Sequence, residues 1–320
     1  MKIVQLEGEK NMIYTITLNP AIDRLLFLEK TLVKEKNNRL SKVEYDLGGK
    51  GHHGSFAMST LGVENQALGF CGTTNKSKLE KILKEKELNY DLVEVYGKPT
   101  RESYVILEAN VSGSILITEK GFRVSSYDIE LLTEKIEEKI QEKDIVLIAG
   151  SMPPGFELRD LEELLHVLKK KNCFIACDLS GAALTKAVEV GVNFIKPNAF
   201  EIQEIVSAEN PLLENLKELS KKIDYVVVSQ GSEGSICSHD GEFYQITVPK
   251  VVAVNDTGAG DCFVGAFLAN LSLGKPLTET LAFASGCAAS KVQYTNSTTF
   301  SVKEAKLLQK KVRVEKLQMD

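Results

Sequence analysis

The stretch VNDTGAGDCFVGAFLA (254–269) runs a glycine-rich turn straight into an apolar helix. Gly258 and Gly260 let the backbone approach an anion closely, and the free N–H groups of a first helical turn, with the helix dipole, favour negative charge there. The turn therefore reads as a place that favours an anion. An acid in that place, Asp261, has two readings. It can cap free N–H groups, or it can take the proton of a hydroxyl attacking a bound phosphate, a reaction that otherwise needs mainly positioning and charge stabilisation.

A second stretch, LGGKGHHGS (47–55), holds two of the four histidines. It lacks the GxxxxGK[ST] spacing of a P-loop. A metal pair is excluded, since adjacent histidines at a helix start point about 100° apart and no third ligand accompanies them. GSEG (231–234) is by itself only a glycine-rich turn.

The elements that must carry these residues alternate regularly. IYTITL (13–18) is a buried strand stopped at Asn19-Pro20. From Ser125 onward, SSYDIELLTEKIEEKIQEK is a capped amphipathic helix before the strand DIVLIAG; DLEELLHVLKKK precedes CFIACDLS; AALTKAVEVG precedes VNFIKPN; NPLLENLKELSKKI precedes DYVVVSQG. GEFYQITVPK is one more strand before VNDTGAGD. Such alternation implies an α/β fold with a mostly parallel sheet covered by helices on both faces. Shorter alternating pieces, RLLFLEK, RLSKVEYD and RESYVILEANVSGSILITEKG, with NVSG as a turn, predict a small second sheet. Ligands of open parallel sheets bind at the carboxyl ends of the strands, where Asp23, Ser151, Lys196, Ser229 and Asp261 fall.

The chain has 320 residues, 43% hydrophobic and 26% charged, with a net charge of −5. That balance argues against a nucleic-acid surface, which needs a clustered basic excess. No apolar run of about 18 residues indicates a membrane span. The six scattered cysteines suit a reduced, cytoplasmic chain. MKIVQLEGEKN lacks the apolar core of a signal peptide, so residues 1–11 read as an extension ahead of one domain at 12–320.

Taken in order, GGKG, TLNPAID, GSMPPG, DLSGAAL, IKPNAFE and DTGAGD resemble the ribokinase-like (phosphofructokinase B) sugar kinases, nearest the 1-phosphofructokinase and tagatose-6-phosphate kinase branch. The resemblance runs from Met12 almost to the C-terminus. It implies a kinase using ATP and Mg²⁺, with lid strands from about 23–46 and 97–121 that pair into a homodimer. Asp261 would be the catalytic base and Gly258–Gly260 the anion hole. Asp23, Gly49 and Lys50 would face the sugar; Arg101 and Ser151, with Arg39 by rougher alignment, would hold a phosphate already on it. Lys196, Asn198, Glu201, Ser229, Gly231, Gly234 and Thr257 would line the nucleotide, with Glu201 toward Mg²⁺. The implied acceptor is fructose 1-phosphate, then tagatose 6-phosphate or fructose 6-phosphate, then an unphosphorylated sugar or nucleoside; a catalytically silent sugar-binding regulator is the alternative of another class.

Three departures from the branch bear on the acceptor. His52 and His53 stand where it has a hydrophobic residue and an asparagine. Neutral histidine offers a donor and an acceptor as asparagine does, so His53 is expected to hold a sugar hydroxyl and His52 to be simply a packed or exposed side chain. Ser103 and Tyr104 follow Arg101 where a polar asparagine is usual, and Asp256-Thr257 is closer to kinases of unphosphorylated sugars. His166 and His239 read as surface residues.

Overall fold

A computed structural model describes residues 11–318; the expected N-terminal extension lies outside them except for Asn11. The first half of the chain gives β1 (Ile13–Thr17), β2 (Ala21–Leu28), β3 (Leu40–Gly48), α1 (Lys50–Thr60), β4 (Asn65–Gly72), α2 (Lys76–Glu85), β5 (Tyr90–Val95), β6 (Arg101–Glu108), β7 (Ile115–Thr118), α3 (Ser126–Lys139), β8 (Ile145–Ala149) and α4 (Leu158–Lys170). There follow β9 (Phe174–Asp178), α5 (Gly181–Val190), β10 (Phe194–Ile195), α6 (Ala199–Ile205), α7 (Leu212–Ser220), β11 (Tyr225–Ser229), β12 (Ser235–His239), β13 (Glu242–Thr247), α8 (Ala259–Ser272), α9 (Leu277–Lys291), α10 (Val302–Gln309) and β14 (Arg313–Lys316).

Among the described residues these build a ten-stranded sheet ordered β14-β13-β12-β11-β10-β9-β8-β1-β4-β5 and a four-stranded sheet ordered β3-β2-β6-β7. The run from β11 to β5 is parallel, and β12 to β14 are antiparallel. The mostly parallel α/β architecture and the small second sheet are as the sequence implied.

Alternation along each strand sorts the core into two layers. On β8, Val146 and Ile148 face the helices α3 to α7, while Ile145, Leu147 and Ala149 face α1, α8, α9 and α10. Side chains of period two on a sheet buried on both faces require this division. Ser125 and Asp128 form a capping box at the start of α3, and Glu157 with Asp160 does the same for α4.

The strand order reverses at β1, whose neighbours are β4 on one side and β8 on the other. Such a reversal opens a crevice at the carboxyl strand ends. Two glycine-bearing helices close it from one face. A Cβ on Gly265 of α8 would lie 2.6 Å from the Gly54 carbonyl of α1 and 2.8 Å from the Ala57 Cβ. The helices therefore touch backbone to backbone. Gly265→Ala should overpack this crossing and lower the urea midpoint by the equivalent of about 1–3 kcal/mol; an unchanged midpoint would show that the helices part there at no cost.

Candidate active site

The cradle is made by Gly258 and the first turn of α8. Gly258 has φ 81°, and a Cβ there would stand 2.1 Å from the Ser297 carbonyl, so only glycine fits. The Ala259 amide turns back onto the Asp256 carbonyl at 3.2 Å. The Gly258, Gly260 and Asp261 amides have no acceptor among the described residues, so the cradle uses the Asp261 amide in place of Ala259. Behind it, Asn255 accepts from the Thr257 amide at 2.9 Å and donates to the Thr295 carbonyl at 2.8 Å, while the buried Lys291 ammonium donates to the Asn255 carbonyl at 2.8 Å. Burial pushes Lys291 down to about 8, against the pull of neighbouring acids such as Asp256. Sequence reasoning missed Asn255 and Lys291, since nothing in a helical lysine announces burial.

Asp261 is buried, with its Oδ2 on the Nδ1 of His53 at 2.6 Å. The other ring nitrogen of His53, Nε2, lies 2.8 Å from the Leu47 carbonyl and 3.7 Å from Asp23 Oδ2. Both nitrogens are thus engaged by protein, which leaves none for a sugar hydroxyl; the asparagine-like role expected for His53 is not the one this geometry supports. Burial works to raise the Asp261 pKa, but the hydrogen bond and charge of His53, with Lys50 and Lys196, hold it below the usual carboxylate range. Burial likewise works to lower His53, yet Asp261 and Asp23 raise it to about 9. His52, expected only to be a packed or exposed side chain without a role, is buried, its Nδ1 on the Gly48 carbonyl at 3.0 Å, and burial pushes it down to about 4.

Asp23 on β2 is also buried, and its Oδ2 has no hydrogen-bond partner. Burial raises it to about 6, His53 opposing and Asp46 and Asp261 adding to the rise. An orphaned carboxylate oxygen in a crevice is costly unless a ligand completes it. Asn19, just past β1, is similar: Nδ2 donates to Ser151 Oγ and to the Lys120 carbonyl, both at 3.0 Å, and Oδ1 is unpartnered. The sequence placed Asn19 at a strand end without assigning it a role.

The remaining expected residues divide. Arg101 directs Nε and Nη2 at the Asn19 carbonyl (3.4 and 3.1 Å) and Nη1 at the Glu119 carbonyl (3.0 Å), so its fork holds backbone and keeps two N–H groups in reserve. Arg39 lies exposed before β3 with no side-chain hydrogen bond or ion pair among the described residues. Gly49 is the N-cap of α1, and Lys50 pairs with Asp178 at 3.2 Å. Thr257 meets Ser114 of the small sheet at 3.1 Å, and Ser114 donates to Asp256 at 2.8 Å. His166 is exposed, whereas His239 is half-buried and stacked on Tyr225 at 3.9 Å.

A cavity of about 780 Å³ adjoins the cradle, lined by Lys196, Ser229, Gly231, Gly234, Ala259 and Gly260 of the expected set. Its apolar wall of Val248, Val251, Phe263, Ala288 and Val292 carried no sequence signal. Asn198 and Glu201 lie off this lining and form the capping box of α6: Asn198 Oδ1 accepts the Phe200 and Glu201 amides, and Glu201 Oε2 accepts the Asn198 amide at 2.8 Å. The second Glu201 carboxylate oxygen has no protein partner among the described residues. Lys196 is buried, and a Cβ on Gly260 would lie 3.1 Å from its Nζ. No protein acceptor for that ammonium lies among the described residues.

Such a site can pass a charged group from a donor in the cavity to a hydroxyl held beside Asp261, which is the work of a phosphotransferase. The chain belongs to the pfkB family of carbohydrate kinases, which it matches over residues 9–305. It is 32% identical over 273 residues to the 1-phosphofructokinase of Bacillus subtilis, covering 84% of this chain and 88% of that protein. It is 27% identical over 270 residues to a tagatose-6-phosphate kinase of Staphylococcus epidermidis, covering 81% and 85%. Phosphofructokinase-2 of Escherichia coli, solved with substrates and products, superimposes with a TM-score of 0.88 at 25% identity, over 94% of this chain and 99% of that one.

Lys196, without a hydrogen-bonded protein acceptor among the described residues, yields a prediction that separates binding from stability. Lys196→Met should weaken binding of ATP or tripolyphosphate by roughly 10- to 150-fold, the loss of one charge-assisted contact of about 1.5–3 kcal/mol, while changing the melting temperature little, because Lys196 has no hydrogen-bonded protein acceptor to lose among the described residues. Calorimetric titration and thermal melting check the two halves, and unaltered affinity would take Lys196 out of the anion site.

Proposed function

We propose that the chain transfers the terminal phosphoryl group of ATP to a hydroxyl of a phosphorylated ketohexose, fructose 1-phosphate before tagatose 6-phosphate or fructose 6-phosphate. One observation carries the chemistry: Asp261 stands at the mouth of the cradle with one oxygen fixed on His53 and the other without a partner among the described residues. The acceptor hydroxyl gives its proton to Asp261 Oδ1 as its oxygen attacks the terminal phosphorus, and the bond to the leaving ADP oxygen breaks. Gly258, Gly260 and Asp261 amides with Lys196 meet the negative charge on the transferred group. Asp23 Oδ2 and Asn19 Oδ1 take sugar hydroxyls; the free N–H groups of Arg101 and the Ser151 hydroxyl suit the sugar's own phosphate. The 1-phosphofructokinase and tagatose-6-phosphate kinase relatives support a phosphosugar acceptor.

Mg²⁺ fits this donor set. It takes most of its oxygens from phosphates and water and needs one or two protein carboxylates, for which the free oxygen of Glu201 is suited. When bound it neutralises charge on the triphosphate. Six free, buried cysteines fit a reducing, cytoplasmic setting.

Asp261→Asn should lower turnover by roughly 10²-fold or more with ATP binding near normal, measured by ADP release with a panel of sugar phosphates and free sugars. Turnover above half of wild type would remove Asp261 as the base, and faster turnover of fructose or ribose than of all three sugar phosphates would overturn the acceptor reading.

A second reading concerns assembly. The small sheet exposes Val43, Tyr45, Ile115 and Ile117 on one face and Leu116 on the other, along its edge strand. Two copies pairing through it would cover the patch and its edge strand β7. Leu116→Glu with Ile117→Lys should then convert a dimer to monomer in sedimentation velocity; a wild-type chain that sediments as a monomer at micromolar concentration would exclude the pairing.

A further inference from the structure

Asp261 and Asp23 are two buried carboxylates that flank one imidazole. Left alone, neighbouring buried acids do not both ionise. The Leu47 carbonyl carries no proton, so the 2.8 Å contact to Nε2 requires an N–H there. The 2.6 Å contact of Nδ1 with Asp261 Oδ2 then holds one more proton between the two groups. Placing it on Asp261 would neutralise an acid that faces Lys50 and Lys196 and leave a neutral ring beside Asp23; placing it on His53 sets a cation between two anions.

We propose that His53 is a fixed imidazolium, a positioning residue that pins Asp261 Oδ2 through Nδ1–H and the root of the small sheet through Nε2–H, and so keeps Asp261 and Asp23 ionised together. The assignment of Asp261 as base rests on the kinase reading above; the protonation of His53 does not. The charged groups packed around the ring agree with it. Asp23 faces it from β2, with Asp46 of β3 and Arg101 of β6 beyond; Lys50 of α1 is turned to Asp178 of β9; Lys196 follows β10; Lys291 of α9 lies behind α8. His52, the next ring on α1, is neutral and faces Gly48. With Oδ2 fixed, the substrate proton has a single destination, Oδ1, which is therefore the oxygen that must face the sugar. Asparagine at position 53 has one donor group and no charge, so it reproduces the contact to Asp261 without the counter-charge.

The pH dependence follows in sign. His53 is raised from 6.5 to about 9, so its contribution to stability is whole below about 6.5 and is lost as pH rises through 9. Two-bond ¹H–¹⁵N spectra of the full chain labelled at histidine, without substrate, read the ring directly. His166→Gln and His239→Gln, both remote from the site, identify the two outer histidines and leave the two buried ones. One of those should keep both nitrogens protonated to pH 8 and titrate near 9; the other should stay neutral throughout. Separately, His53→Asn should shift the acid limb of the turnover profile with fructose 1-phosphate upward by about one pH unit, a loss that approaches roughly tenfold relative to wild type only at pH values below both limbs, with the Kd for ATP within twofold of wild type. A His53 ring that is singly protonated at pH 7.5 overturns the proposal even in a fully active enzyme, as does an unmoved acid limb in a folded His53→Asn. Absent ADP release with a ring that titrates near 9 would instead refute the kinase reading alone.

Discussion

The site depends on how closely α1 and α8 cross. Gly54 and Gly265 remove the side chains that would hold two helices at the usual 8–10 Å axis separation, and the backbones meet. That contact lies one position from His53 and four from Asp261, so the ring and the carboxylate inherit their 2.6 Å spacing from it. A bulkier crossing would part the base from its partner before it disturbed either strand layer. Glycines therefore serve two ends here: Gly258 and Gly260 shape the turn at the start of α8, and Gly54 and Gly265 set the distance at which charge is paired.

Charge pairing is the second constraint, and it is distributed unevenly. Lys50 is matched to Asp178, and Lys86 to Asp46 at 2.8 Å, with Asp46 also accepting from the Ser297 amide and the Thr298 hydroxyl. These pairs lock α1 to the strand ends, and β3 to the loop after α9. Lys196, Asp23 Oδ2 and Asn19 Oδ1 are left incomplete in the same crevice. Protein interiors rarely leave such groups unmatched, and the incomplete ones are those a phosphate and a hydroxylated ligand would complete. Complementarity to the ligand is thus built from what the fold fails to satisfy, on a frame whose other charges are satisfied.

The strand-helix alternation from Ser125 to Asp261 was legible in the sequence because period-two and 3.6-residue patterns are local, and the turn at Gly258 was legible because close backbone approach demands glycine. The fates of His53 and Arg101 were not. Both assignments came from residue type at an aligned position, while the deciding contacts join Leu47 to position 53, position 53 to Asp261, and Arg101 to the Asn19 carbonyl, pairs separated by 6, 208 and 82 residues. Donor count alone allowed His53 to stand in for an amide; only tertiary placement beside two acids changes it into a cation. The apolar cavity wall was equally invisible, since Val248, Val251 and Val292 read like any core residues until the loop after β13 and the end of α9 bring them to one cavity.

The small sheet is tied into this arrangement at both of its ends. Its roots carry Asp23 and the Leu47 carbonyl, the two groups that face Nε2 of His53. Its far turn rests on the loop before α8, where the Gly113 amide donates to the Ala253 carbonyl at 3.2 Å and Ser114 binds Asp256 and Thr257. The small sheet is therefore joined at once to Asp23, to the support of His53 and to the loop that leads into α8. Asp261 is held through His53, and His53 through the Leu47 carbonyl at the end of β3, so the position of the buried carboxylate depends on the placement of the small sheet as well as on the crossing of α1 and α8.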